Sequence, residues 1–263
     1  MKKRIMVGEK IRGYDLLLCP GKNLYTGINK FVEEFGDTNS LEEDLINLAS
    51  GIFASDLAVK REDREHYIRN IEVGVEVVNL HLFERIKKDL EGALYVVSKD
   101  NWSIKFIQKK GVPTLAFDWQ NKEGATLLFS GGIDSMCAAS EFLKENKDLV
   151  LVSHNSHANH AVDNSQKKVH DTLEKFYKKA VKHIHIKVYG RNQPQYPFPK
   201  DELRENTQRT RSFLFLSLAA LVTRRSNLNK ILFMAENGQF AIHLPLNSAR
   251  GGPFSTHTAD PEF

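Results

Sequence analysis

Two hydrophobic periods share the first part of this chain. In SLEEDLINLASGIFASDL, Leu41, Leu45, Leu48 and Ile52 recur at helical spacing, and Ser40 with Glu43 has the spacing of a capping box. IEVGVEVV (71–78) alternates instead, with Ile71, Val73, Val75 and Val77 on one face and Glu72 and Glu76 on the other. That period predicts a half-exposed strand. A short helix around 80–90 and an apolar strand, ALYVV (93–97), are expected next. FDWQNKEG (117–124) has no period and ends in glycine, which puts a boundary near residue 122. Residues 1–122 are therefore expected to form a smaller α+β domain.

Beyond that boundary the pattern becomes regular. ATLLF, DLVLVS, VKHIHIKV and KILFMA are short apolar runs separated by helical stretches. Met136, Cys137, Ala139, Phe142 and Leu143 mark one helix, Val169, Leu173, Phe176 and Ala180 the next, and Phe213–Val222 a nearly apolar third. Strands alternating with helices predict an α/β, doubly wound parallel sheet over 123–263, with right-handed crossovers. GRNQPQYPFPKDELRENTQ (190–208) breaks the rhythm, because Pro194, Pro197 and Pro199 forbid a regular helix or a central strand. It reads as a lid or binding loop, or as a disordered surface excursion.

Composition narrows this only slightly. The chain has 263 residues, 41% hydrophobic and 27% charged, so a sizeable core needs no covalent staples. A net charge of +4, from 37 basic and 33 acidic residues, suits phosphate-bearing partners. Because the basic residues are scattered, nucleic acid is not expected as the direct ligand. Cys19 and Cys137 are the two cysteines, too few for a disulfide framework. With neither a signal-like start nor a run of ~18 apolar residues, a cytoplasmic protein with no membrane span is expected.

The candidate chemistry sits at ATLLFSGGIDSMCAASEF (125–142), where a strand is expected to turn into a helix. In a doubly wound sheet ligands bind outside the carboxyl ends of strands, facing helix starts. Gly131 and Gly132 permit positive φ and close backbone approach. Turn amides, the helix dipole and the hydroxyls of Ser130 and Ser135 favour an anion. Asp134 repels a phosphate, so it either caps the helix or holds a Mg²⁺ that bridges phosphate oxygens. No lysine follows the glycines, which excludes a Walker A loop, and the G-x-S-x-G elbow of the α/β-hydrolases is also absent.

S-G-G-x-D-S after a first strand resembles the PP-loop of the adenine nucleotide α-hydrolase-like superfamily, whose Rossmann-like (HUP) domain binds ATP and adenylates a substrate oxygen. RTRSFLFLSLAALV (209–222) is similar to the R-x-x-x-F-L-S-x-A-A helix of the 7-cyano-7-deazaguanine synthase (QueC) family. ENGQFAIHLPLNSARGGPFSTH (236–257) resembles a variant region of QueC-like proteins from anti-phage defence islands, the QatC type. FASDLAVKREDREHYIRNIEVGVEV and VSKDNW resemble the extra domain of that defence group.

The resemblance implies an ATP- and Mg²⁺-dependent adenylating enzyme acting on a deazapurine or a protein terminus, with partner proteins encoded in a defence operon. Ser130, Gly131, Gly132, Asp134 and Ser135 would hold the ATP phosphates, and Ser153 would lie near the adenosine. Arg211 would face the phosphates and, with Asp134, serve catalysis; its alternative is a surface charge at a helix start. Glu236, Asn237 and Gly238 would border the substrate.

The synthases' zinc-binding cysteine cluster, near their C-terminus, has no counterpart here, so no cysteine-ligated zinc is expected. Their chains continue beyond the position of Phe263, and the defence-type S-T-R-T-T-H-P is replaced by residues 255–261. These departures support a second reading, a nucleotide-binding scaffold subunit. A third is nucleic-acid modification. His154, His157, His160, His183 and His185 cluster in sequence, with the last two on one strand face, but HNSHANHAVDN reads as a loop and no metal site is expected. Trp102, Trp119 and FLF read as core, and KKVHDTLEKFYKKAVKH as a solvated helix face.

Overall fold

The computed structural model describes residues 2–9, 12–61, 68–114, 122–155, 160–232 and 263. The first half runs β1 (Lys2–Val7), β2 (Leu16–Leu18), β3 (Leu24–Tyr25), α1 (Ile28–Phe35), α2 (Ser40–Ala58), β4 (Asn70–Val77), α3 (Leu80–Ser98) and β5 (Asn101–Gln108). The second runs β6 (Lys122–Leu128), α4 (Ile133–Lys144), β7 (Leu149–Asn155), α5 (His160–Tyr177), β8 (Lys182–Lys187), β9 (Tyr189–Gly190), α6 (Arg211–Arg225) and β10 (Leu228–Leu232).

The second half forms a parallel sheet in the order β10-β6-β7-β8. Alternate residues of its strands enter two cores. Leu127, Phe129, Leu149 and Leu151 pack with Ala139, Leu143 and Leu173 of α4 and α5. Leu128, Val150, Val152, Ile184 and Ile186 pack toward α6 and α2. Burial on both faces explains why β6 and β7 read as unbroken apolar runs, whereas β8 carries His183 and His185 on its less buried face. Each fully buried Leu, Ile or Phe contributes about 1.5–3 kcal/mol by leaving water.

Order along this sheet has a functional consequence. β6, β7 and β8 step outward in one direction, and the chain then returns to place β10 on the other side of β6. The reversal puts a topological switch point at the carboxyl end of β6, the place where doubly wound sheets bind ligands.

The first half departs from the expected α+β arrangement. β2-β1-β4-β5 is wholly parallel, so this part also belongs to the α/β class. The alternation in β4 is real: Ile71, Val73, Val75 and Val77 are buried while Glu72 and Glu76 are half-buried. It reflects a parallel sheet with one partly open face, a pattern usually met in antiparallel sheets. The expected strand at 93–97 is the last part of α3, whose Phe83, Leu90, Leu94 and Val97 keep a helical stripe. The capping box lies one residue earlier than expected. Asn39 accepts from the amides of Leu41 and Glu42, while Glu42 accepts from the amide of Asn39. The Ser40 hydroxyl instead meets that of Thr114.

From Leu48 to Leu57 α2 is buried on every side and contributes to the larger core, which includes side chains of both sheets. A helix segment buried all round, here with Ser50, Ser55 and Asp56 among apolar residues, requires such a position. The proline-rich stretch is not a disordered excursion. Phe198 is buried against Gly190, Asn23 Nδ2 donates to Pro197 O (3.3 Å), and Lys22 Nζ donates to Tyr196 Oη (2.6 Å).

Candidate functional site

The candidate turn follows β6 and opens α4. Gly132 is the N-cap, with no side-chain cap bond, and the first intrahelical bond runs from Met136 N to Gly132 O (3.1 Å). The amides of Ile133, Asp134 and Ser135 therefore begin the helix without intrahelical acceptors. Gly131 has φ 78°, while Gly132 is extended at φ −88° and does not use the left-handed region.

Gly131 serves packing as well as the turn. A Cβ there would sit 2.8 Å from Gln166 Cγ and 3.0 Å from Gln166 N on α5. Glycine at 131 thus lets α5 close over the back of the turn. Ser165 Oγ donates to Gly131 O (3.2 Å), and Gln166 Nε2 to Ser130 O (3.4 Å). Gln166 is buried, and its Oε1 has no hydrogen-bond partner among the described residues.

The two serines brace the turn. Ser130 Oγ accepts from Gly132 N (3.2 Å) and contacts Ser135 Oγ (3.2 Å), which donates to Gly132 O (3.0 Å). Ser130 is exposed and Ser135 buried. Asp134 does not cap the helix, because Gly132 occupies that position; its exposed side chain lies in the first turn of α4. A carboxylate there is favoured by the helix dipole by about 0.3–1 kcal/mol.

Ser153 is fully buried near the end of β7. Its hydroxyl donates to Phe129 O (2.6 Å) and contacts His183 Nε2 (2.8 Å), tying β7 to the residue before the turn. Burial and the neighbouring His170 and His185 lower the His183 pKa to about 4. Next along β7, His154 is buried between Phe53 and Phe215, edge-on to each ring. Burial and Arg211 lower its pKa to about 3, so it is neutral at pH 7.

Arg211 is the first residue of α6 and is no surface charge. Its guanidinium lies over Phe215, 5.0 Å from the ring centre, with Nη2 3.5 Å from His154 O at the end of β7. Nε is buried without a hydrogen-bond partner among the described residues, and burial lowers the pKa. Among the described residues no carboxylate pairs with it. A guanidinium withdrawn from water without a counter-charge is costly, and an anion offsets that cost.

The structure therefore brings Ser130–Ser135, Ser153 and Arg211 to the carboxyl ends of β6 and β7. Glu236, Asn237, Gly238, His157 and Trp119 lie outside the described residues. Trp102 is buried in the core, as expected. α5 begins at His160, so the end of the presumed histidine loop is helical. His183 and His185 do share a face, with their rings stacked 6.1 Å apart.

The ligating atoms of His170, Asp171 and Glu174 lie within 4.8 Å of one another. Two of them already serve the connection into β8: His170 Nε2 contacts Val181 O (2.8 Å), and Glu174 accepts from Val181 N (2.8 Å). Sequence reasoning missed Gln166 and His154 as parts of the site's frame. No local period marks a polar residue that another element will cover.

Among the described residues no helix is long and apolar enough to cross a membrane. No family model, curated protein or solved structure matches the chain.

Proposed function

We propose that the turn Ser130–Ser135 binds the phosphates of ATP and that the chain is an ATP-dependent adenylating enzyme of the PP-loop type, with a HUP-like nucleotide-binding domain over 123–263. The observation that carries this reading is Arg211: a partly buried guanidinium with no carboxylate partner among the described residues, at the carboxyl end of the sheet whose switch point holds the turn.

The donors fit a polyphosphate. The uncapped start of α4 offers amides, Ser130 offers a hydroxyl, and Arg211 supplies a full positive charge. Asp134, exposed beside them, suits a Mg²⁺ accompanying the nucleotide. ATP supplies an adenylyl group that activates a carboxylate or carbonyl oxygen, with release of pyrophosphate, before a nitrogen nucleophile displaces AMP. In this reading Arg211 neutralises charge at the transferring phosphate and the turn orients it, while no side chain forms a covalent bond. The substrate class is a deazapurine or a protein terminus, the setting is cytoplasmic anti-phage defence with partner proteins, and residues 1–122 form the accessory domain.

Calorimetry with ATP and Mg²⁺ tests the site. The wild-type protein binds, and Ser130→Ala, Asp134→Ala and Arg211→Met each weaken binding while remaining folded. Undiminished affinity in all three contradicts the assignment. Pyrophosphate release on adding a deazapurine or a partner protein supports an enzyme, and binding without release supports a scaffold.

A further inference from the structure

The N-terminal stretches FASDLAVKREDREHYIRN and VSKDNW have no part in the turn, yet their described residues converge on the start of α6. Asp56, at the end of α2, is fully buried. Its Oδ1 pairs with Arg69 Nη2 (2.5 Å), and its Oδ2 accepts from Thr210 N (2.9 Å) and Thr210 Oγ1 (3.1 Å). Arg69 also binds Asp100 Oδ2 (2.6 Å), which Arg61 contacts as well. Ser98 O accepts from Arg209 Nη1 (3.0 Å).

Residues 209 and 210 are therefore held from two sides, and Arg211 is next in the chain. α2 reaches the site a second time, one turn earlier. Phe53 packs edge-on against His154 (5.2 Å), and the carbonyl of His154 meets the Arg211 guanidinium. One helix thus fixes both the start of α6 and the strand end toward which Arg211 points.

We infer that Asp56 is a positioning residue for phosphate binding: through Thr210 it holds the amino end of α6 so that Arg211 is presented at the carboxyl end of β7. This rests on the reading of Arg211 as a phosphate ligand. Asp56 itself touches no ligand. A hydrogen bond to a charged group constrains direction strongly, and a small displacement of a guanidinium loses much of a charge-assisted contact.

The test is a double-mutant cycle with pyrophosphate as the probe, read by phosphorus NMR line broadening so that millimolar affinities remain measurable. Asp56→Asn and Thr210→Val are each made with Arg211 present and in an Arg211→Met background. With Arg211 present, Asp56→Asn weakens pyrophosphate binding about tenfold and Thr210→Val about threefold. In the Arg211→Met background, itself about thirtyfold weaker, neither causes a further loss.

A merely structural network gives the opposite result: equal weakening in both backgrounds, or none in the folded variants, and either outcome overturns the inference. If Asp56→Asn does not fold, Thr210→Val decides alone, since it removes one hydroxyl contact. A wild-type protein that does not bind pyrophosphate overturns the reading of Arg211 itself, and the inference with it.

Discussion

Arg69 and Arg211 are both guanidiniums drawn out of water, and burial leaves them in opposite states. Burial works against the charge of Arg69, but Asp56 and Asp100 outweigh it and raise its pKa above the ordinary value. The same ion pair, with the Thr210 amide, holds Asp56 below the ordinary carboxylate range despite complete burial. Arg211 has no such partner among the described residues, and burial lowers its pKa. One arginine completes a structure, while the other has no counter-charge among the described residues. Buried charges that a chain pairs internally are structural by default; one that it leaves unpaired at a switch point is a functional candidate.

The largest expected effect separates the two directly. Arg69→Met leaves Asp56 and Asp100 buried with reduced pairing and lowers stability by about 3–5 kcal/mol in denaturant unfolding. Arg211→Met removes a charge that has no carboxylate partner among the described residues, so stability changes by less than about 1 kcal/mol in either direction. Equal losses in the two variants remove the distinction.

Acid affects the other partner-poor groups of the site. The folded-state pKa values of His154 and His183, about 3 and about 4, lie below the ordinary 6.5. As pH falls below about 6.5 the unfolded chain takes up protons that the folded protein does not, so stability drops. The loss is about 1.4 kcal/mol per pH unit for each histidine, continuing to about pH 4 for His183 and lower for His154. His183→Gln should flatten the slope by about one proton between pH 6 and 4.5, measured by urea unfolding at each pH. An unchanged slope contradicts the buried neutral state.

Gly131→Ala should cost about 1–3 kcal/mol, because φ 78° and the proximity of Gln166 both oppose a Cβ. It should also weaken phosphate binding, whereas Gly132→Ala, at an extended φ, should cost less than 1 kcal/mol. Far from the site, Asn39→Ala removes the α2 cap and about 1 kcal/mol, and the smallest effect is that of Ser40→Ala, which leaves the cap intact.

That last pair illustrates how far the sequence carries. Asn39 with Glu42 and Ser40 with Glu43 fit one spacing equally, and tertiary contacts separate them: Ser40 Oγ meets Thr114 and Asn79, while Glu43 accepts from Thr38. The second sheet was legible because β6, β7, β8 and β10 alternate with helices and because β6 and β7 are buried on both faces. Its turn was legible because Gly131 and Gly132 interrupt that rhythm. The strand expected at 93–97 failed because Val96 and Val97 favour strands locally, while Leu90 and Leu94 continue the helical stripe of α3. Asp56, Arg69, Asp100 and Thr210 could not be associated in advance, because their pairings join positions up to 154 residues apart and no period encodes such contacts.

The comparison between Arg69 and Arg211 comes down to one measurement: the unfolding free energy of wild type and Arg211→Met, each with and without pyrophosphate. The account predicts that pyrophosphate stabilises the wild type, that it stabilises Arg211→Met far less, and that the two are about equally stable without it. Equal stabilisation of both by pyrophosphate, or an Arg211→Met protein as unstable as Arg69→Met, would contradict it.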